Sequence, residues 1–301
     1  MAALSDWIKA FRLRTLPLAL SSIGMAGFLA YDHHRFNTLV FIGCVLTTLF
    51  LQILSNLAND YGDFMNGADG VHRVGPERAV QSGAISIVEM RTAIGLFSIL
   101  SLIAGVILLY QVRDLLSVQL LVGFLVVGLL AIAAAVTYTS GKRPYGYAGL
   151  GDISVFIFFG FVAVCGTYYL QAGIITLDIV LPAISCGLLS TAVLNVNNLR
   201  DIDSDKLAGK KSIPVRIGPV YGRYYHVLLI ASAWLCASMY VVAHRTSLFN
   251  FMYLTTLPLF IRHLILVFKT KEPRFLDPYL KQLALSTLVF VITYGIGITF
   301  F

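Results

Sequence analysis

Charge and reactive sulfur are what this sequence has least of. Only 12% of its 301 residues are Asp, Glu, Lys or Arg, against 58% apolar, and mean hydropathy is +0.82. A soluble domain has no use for so much apolar surface, so the composition excludes a soluble globular enzyme and implies a polytopic membrane protein. The four cysteines, Cys44, Cys165, Cys186 and Cys236, lie in apolar runs without CxxC spacing, which argues against a thiolate zinc site or a disulfide framework. The six histidines show no HExxH or similar ligand spacing. Net charge is +7, yet its distribution follows membrane sidedness, so nucleic acid is not expected as a partner. No cleavable signal peptide is apparent, because residues 1–14 are amphipathic and lead straight into the first apolar run.

What is present is a series of apolar runs that reads as nine transmembrane helices, at residues 16–30, 39–57, 92–110, 118–138, 153–170, 177–194, 225–242, 248–268 and 282–300. Most approach the roughly 20 residues needed to cross a bilayer. The expected fold is therefore all-α, a single transmembrane domain over residues 1–301 with a central cavity open to the cytoplasmic side. Nineteen of the 22 basic residues fall on one side of this arrangement; Arg35, Arg113 and Arg245 fall on the other. That bias places the N-terminus in the cytoplasm and the C-terminus outside. Two inner loops are long, 58–91 and 195–224, and long loops are usually functional.

Both long loops open on acid. Asn56, Asp60 and Asp63 fall at i, i+4 and i+7 of a helix and share one face. Asn197, Asp201 and Asp205 repeat the arrangement at i, i+4 and i+8. Four carboxylates facing one cavity at a membrane edge repel one another, and a divalent cation relieves that repulsion. Oxygen donors without nearby His or Cys point to Mg²⁺, bound through a few carboxylates and substrate phosphates. Arg73 and Arg78 follow the first stretch and Lys210 and Arg216 the second, which together make a diphosphate cradle. The aromatic and basic loop 138–152 offers Tyr138, Lys142, Arg143 and Asp152 as candidates for holding an aromatic acid. Asp201, Asp203 and Asp205 imitate the start of a calcium loop, but Lys206 and Ser212 stand where its Gly and Glu belong. A cation-coupled transporter also fits intramembrane acids, although these lie near helix ends and not at the midplane.

The segments Asn59-Asp60-Tyr61-Gly62-Asp63, Gly83-Ala84-Ile85-Ser86 and Asn197 to Asp205 resemble the UbiA superfamily of intramembrane prenyltransferases. Arg14-Thr15-Leu16-Pro17, Arg143 to Asp152 and Asn197-Asn198 through Lys210-Lys211 are similar to its branch acting on 1,4-dihydroxy-2-naphthoate. The resemblance implies transfer of a polyprenyl group from polyprenyl diphosphate to that acid, with decarboxylation, in menaquinone biosynthesis. It implies a bacterial inner-membrane enzyme, with the lipid bilayer as its medium. Asp60, Asp63, Asp201 and Asp205 are the expected catalytic acids, and Asn56, Asn59, Asn197 and Asn198 are expected to join them around Mg²⁺ and substrate. Acceptors such as 4-hydroxybenzoate or homogentisate stay open. One departure concerns the third carboxylate of the first motif, replaced here by Gly67; Asp69 is a candidate substitute.

Overall fold

The computed structural model describes residues 2–68, 75, 77–244 and 247–300. Among these, nine helices are long and apolar enough to cross a membrane, and no strand occurs. The chain opens with α1 (Leu4–Phe11), whose Trp7 and Phe11 pack against Leu57, Val80 and Ile85 while Leu4 and Ile8 stay exposed. Arg12, in the left-handed region at φ 50°, turns the chain into α2 (Leu16–Asp32), where Pro17 sits in the first turn and costs no hydrogen bond. Asn37 caps α3 (Thr38–Met65) by accepting from the Leu39 and Val40 amides. A Ser86–Glu89 capping box starts α4 (Ile87–Gln111), and Ser117 caps α5 (Val118–Thr137).

The second half comprises α6 (Gly151–Ala172), α7 (Val180–Arg200), the short α8 (Ile202–Leu207), α9 (Ile213–His244), α10 (Leu248–Lys269) and α11 (Pro273–Phe300). The main apolar core lies among α2, α6, α7, α9, α10 and α11, whereas α5 buries no residue. In lipid, helices gain by close packing of small residues. Gly160 of α6 meets Gly187 of α7 in this way: a Cβ on Gly160 would lie 2.8 Å from the Ala183 carbonyl oxygen, and one on Gly187 2.8 Å from that of Phe156. Around this contact, Phe156–Gly166 is wound as a π-helix, a rare geometry frequent at functional sites.

Nine spans are thus found where nine apolar runs were read. Their bounds differ at the end of the bundle that carries the acidic stretches. Helix α3 continues past residue 57 to Met65, α7 past 194 to Arg200, and α9 begins at Ile213, not 225, with its first turn set off from the rest by the non-helical Gly218 at φ 84°. Hydropathy ends a span where polar residues begin, but Asn56, Asp60 and Asp63 of α3 and Asn195, Asn198 and Arg200 of α7 are buried inside the bundle, so those two helices continue. The two long inner loops shrink accordingly to 66–86 and 201–212.

Candidate active site: a polar chamber on an apolar tunnel

The last three turns of α3 carry Asn56, Asn59, Asp60 and Asp63. Asp63 is 3% exposed and accepts from Arg78 Nη2 at 2.7 Å and from the Tyr147 hydroxyl at 3.0 Å. Lys210 Nζ lies 3.0 Å from Asp63 and 3.3 Å from Asp205, and 4.8 Å from the centre of the Tyr147 ring. The two acidic stretches therefore meet at one lysine. Burial pushes the Asp205 carboxyl up to about 6, opposed by Lys210 and reinforced by Asp201 and Asp63. Burial also works against the Lys210 ammonium, but Asp63 and Asp205 prevail and raise its pKa.

Asp201 stands at the break between α7 and α8. Arg200 grips it with two bonds, Nε to Oδ1 at 2.8 Å and Nη2 to Oδ2 at 2.6 Å. Arg200 also donates to Asn197 Oδ1 at 2.9 Å, and Asn197 donates to Asp201 at 3.4 Å.

Asn59, Asp63, Asn197, Asn198, Asp201 and Asp205 line a polar chamber of about 180 Å³, shared with Arg12, Arg78, Tyr138, Tyr147, Asp152 and Lys210. Beside it runs an apolar tunnel of about 570 Å³ between α3, α4, α5 and α6. Six residues border both spaces: Gln52, Asn59, Tyr138, Val155, Phe159 and Leu194. They form the neck where a charged head group and a long apolar chain would join.

Several expected site residues stand elsewhere. Asp60, 2% exposed, borders neither space: its two oxygens accept from the backbone amides of Ala79 at 3.1 Å and Val80 at 3.3 Å. It anchors the turn that delivers Arg78, because a buried carboxylate beside two backbone amides is captured by them. Asn56 borders the tunnel but donates to the Phe11 carbonyl at 2.9 Å and Thr15 Oγ1 at 3.1 Å, fastening the α1–α2 corner to α3. Arg216 is exposed and donates to the carbonyls of Lys211 and Ala148, both at 2.7 Å, so it braces two loops and does not line the chamber. Lys142 and Arg143 are exposed and border neither space. Arg73 and Asp69 lie outside the described residues.

Asp60→Ala is accordingly expected to act on stability first, by roughly 2–4 kcal/mol for two buried amides left without their acceptor. Thermal unfolding of the purified variant measures this; an unchanged Tm would contradict the anchoring role.

Sequence reading missed Arg12, Tyr147, Arg200 and Asp277. Arg200 adjoins an acid already chosen, but nothing in the sequence links it to Asp277, 77 residues away.

Among the described residues, no group of three or more His, Cys, Asp and Glu side chains forms a metal site by itself. The donors that do converge, carboxylates and amide oxygens around a polar chamber, fit a hard divalent cation that keeps some waters and completes its shell from phosphate oxygens. Such a cation would offset the burial that raises Asp205 and the repulsion that Asp201 and Asp63 add to it.

The UbiA prenyltransferase family model matches residues 20–298. The 1,4-dihydroxy-2-naphthoate octaprenyltransferase of Haemophilus influenzae is 45% identical over 297 residues, covering 98% of this chain and 96% of its own. The Escherichia coli K12 protein of the same name is 41% identical, covering 97% and 94%. Among solved structures, the apo UbiA homologue from Aeropyrum pernix K1 aligns with a TM-score of 0.66 at 18% identity, over 95% of this chain and 96% of that one. The Archaeoglobus fulgidus homologue bound to GPP and Mg²⁺ aligns with a TM-score of 0.57 at 16% identity, over 96% and 100%. The structural likenesses speak for the fold, the family match and the two near-full-length relatives for descent: the chain belongs to the UbiA prenyltransferase family.

Proposed function

We propose that this protein transfers a polyprenyl group from polyprenyl diphosphate to 1,4-dihydroxy-2-naphthoate, with loss of the ring carboxylate, in menaquinone biosynthesis. The observation that carries the reading is the pairing of near-full-length relatives of that activity with a polar chamber opening onto an apolar tunnel. The diphosphate belongs in the polar chamber and the chain in the tunnel. Asp63, Asp201 and Asp205, with Asn59 and Asn197, are the residues that would hold Mg²⁺, which supplies charge neutralisation of the departing diphosphate. Arg78 and Lys210 are placed to meet its remaining charge.

The C1–O bond of the donor breaks with its electron pair leaving on diphosphate, and an allylic cation is left at the neck. The apolar walls exclude the water that would quench it. The electron-rich naphthoate ring attacks the cation, the new C–C bond forms, and the carboxylate departs as CO₂. The immediate product is at the quinol level of demethylmenaquinone. Tyr138 and Asp152, both bordering the polar chamber, are the acceptor-side candidates, and the Tyr225 hydroxyl donates to Asp152 at 3.2 Å. The cation-rich end of the bundle carries this chamber, which supports a cytoplasmic mouth, a cytoplasmic N-terminus and an outer C-terminus.

Being exposed, Lys142 and Arg143 act by their field on an incoming anionic acceptor. Lys142→Ala with Arg143→Ala is expected to raise acceptor KM a few-fold at low salt, and the effect should fade as the Debye length shrinks to about 3 Å at 1 M. A KM increase that persists at high salt would instead mean direct contact.

The reading is tested by incubating purified protein with Mg²⁺, a polyprenyl diphosphate and either 1,4-dihydroxy-2-naphthoate or 4-hydroxybenzoate, and analysing products by mass spectrometry. A decarboxylated prenyl-naphthalenediol is expected. Turnover of 4-hydroxybenzoate alone would overturn the acceptor, and no product from either acid would overturn the reaction.

A further inference from the structure

Four charges form a chain beneath the polar chamber, outside its lining except at one end. Arg200, 2% exposed, binds Asp201 with two bonds and turns a third nitrogen, Nη1, onto Asp277 at the first turn of the last helix. Asp277 Oδ2 in turn accepts from Arg14 Nη1 at 2.9 Å. Of the four, Asp201 alone borders the chamber. The chain joins the end of α7, the start of α11 and the approach to α2, elements far apart in sequence.

Paired with Asp201 alone, the Arg200 guanidinium would neutralise it, and a neutral pair holds a cation poorly. Asp277 takes a share of that guanidinium. Asp201, Arg200 and Asp277 together carry one net negative charge, which Arg14 offsets only at the far end of the chain, and Asp201 keeps part of its own for the chamber. Arg200 also fixes Asn197 through Nη2, so its orientation sets two chamber oxygens at once. We propose that Asp277 is a positioning residue for the second acidic stretch: by holding and partly neutralising Arg200, it keeps Asp201 and Asn197 aimed at, and Asp201 charged toward, a divalent cation and diphosphate in the polar chamber. The proposal rests on the chamber being the cation–diphosphate site.

The rival role is a brace: an acid in the first turn of α11 complements its helix dipole and ties three helices together. The two roles differ in sign at Arg14. Removing Arg14 loosens a brace, but it also frees Asp277 to neutralise Arg200 more completely, which makes Asp201 a better ligand.

The test is Mn²⁺ binding to the purified full-length protein in nanodiscs with inorganic diphosphate, followed by electron paramagnetic resonance. Asp277→Asn should weaken Mn²⁺ binding roughly tenfold, the scale of losing a partner behind a metal ligand. Asp277→Glu, which keeps the charge, should bind close to wild type, and Arg14→Gln should bind as tightly as wild type or more so. The metal concentration for half-maximal turnover should shift in parallel, with acceptor KM unchanged. A loss of affinity in Arg14→Gln as large as that in Asp277→Asn, or wild-type binding in Asp277→Asn, would overturn the proposal. Should Asp277→Asn not fold, Arg14→Gln still decides beside Asp277→Glu: wild-type or tighter binding in Arg14→Gln supports the proposal, and a roughly tenfold loss there overturns it. Absence of Mn²⁺ binding in the wild-type protein would instead overturn the cation-site reading itself.

Discussion

Replacing Asp63 with asparagine is expected to lower kcat/KM by about 10³-fold, the loss seen when one preorganised electrostatic contact to developing charge is removed. The substitution keeps the shape and leaves an oxygen for the Tyr147 hydroxyl, so folding should survive. What is lost is the charge that Arg78 and Lys210 share, at 2.7 and 3.0 Å. Arg78 and Lys210 lose the carboxylate they share, Lys210 keeping Asp205 at 3.3 Å, and the ligand count for a divalent ion drops by one carboxylate. Prenyl transfer measured by mass spectrometry, beside size-exclusion behaviour of the purified variant, separates loss of chemistry from loss of fold. Near-normal turnover would remove Asp63 from the cradle and with it the argument that the two acidic stretches act together.

The second large effect is expected from one methyl group. Gly149 has φ 84°, and a Cβ there would lie 2.3 Å from both the Lys211 carbonyl oxygen and Arg216 Nη2. Gly149→Ala therefore meets a backbone conformation that costs an L-residue roughly 1–2 kcal/mol and a carbonyl that must move. The loops 145–151 and 208–212 are held together at this point by the Lys211 amide donating to the Tyr147 carbonyl at 2.9 Å. Forcing them apart shifts Tyr147 and Lys210, which position Asp63 and Asp205. A displacement of about 1 Å at reacting groups costs about 10²-fold in rate, and that is the expected fall in kcat. Steady-state kinetics of Gly149→Ala measure it; a variant with unchanged kcat would show that the loops can part without disturbing the chamber.

How far these residues were visible in the sequence differs from case to case. The apolar runs made nine membrane helices inescapable, because backbone amides in lipid need helical partners whatever the tertiary packing. Asp63, Asp201, Asp205 and Lys210 could be singled out because acid recurring at a membrane edge is costly unless it binds something. The role of Asp60 could not. Asn56, Asp60 and Asp63 do share a helical face, but the backbone amides of Ala79 and Val80 cover Asp60, while Asn59, one turn before Asp63, joins it at the chamber. Periodicity reports which residues point together, not what the rest of the chain places opposite them.

The same limit explains Arg216, which basic spacing assigned to phosphate and which instead caps the carbonyls of Ala148 and Lys211. It also explains Asp277, which as an acid at a helix start needs no function to account for it. The sequence by itself determined the number of spans and the presence of two acidic clusters, since these follow from the cost of putting each residue type in lipid. The tertiary structure alone decided which acids reach the chamber and which hold the walls, because a buried carboxylate goes to whichever donors lie within hydrogen-bond reach, and those come from distant parts of the chain.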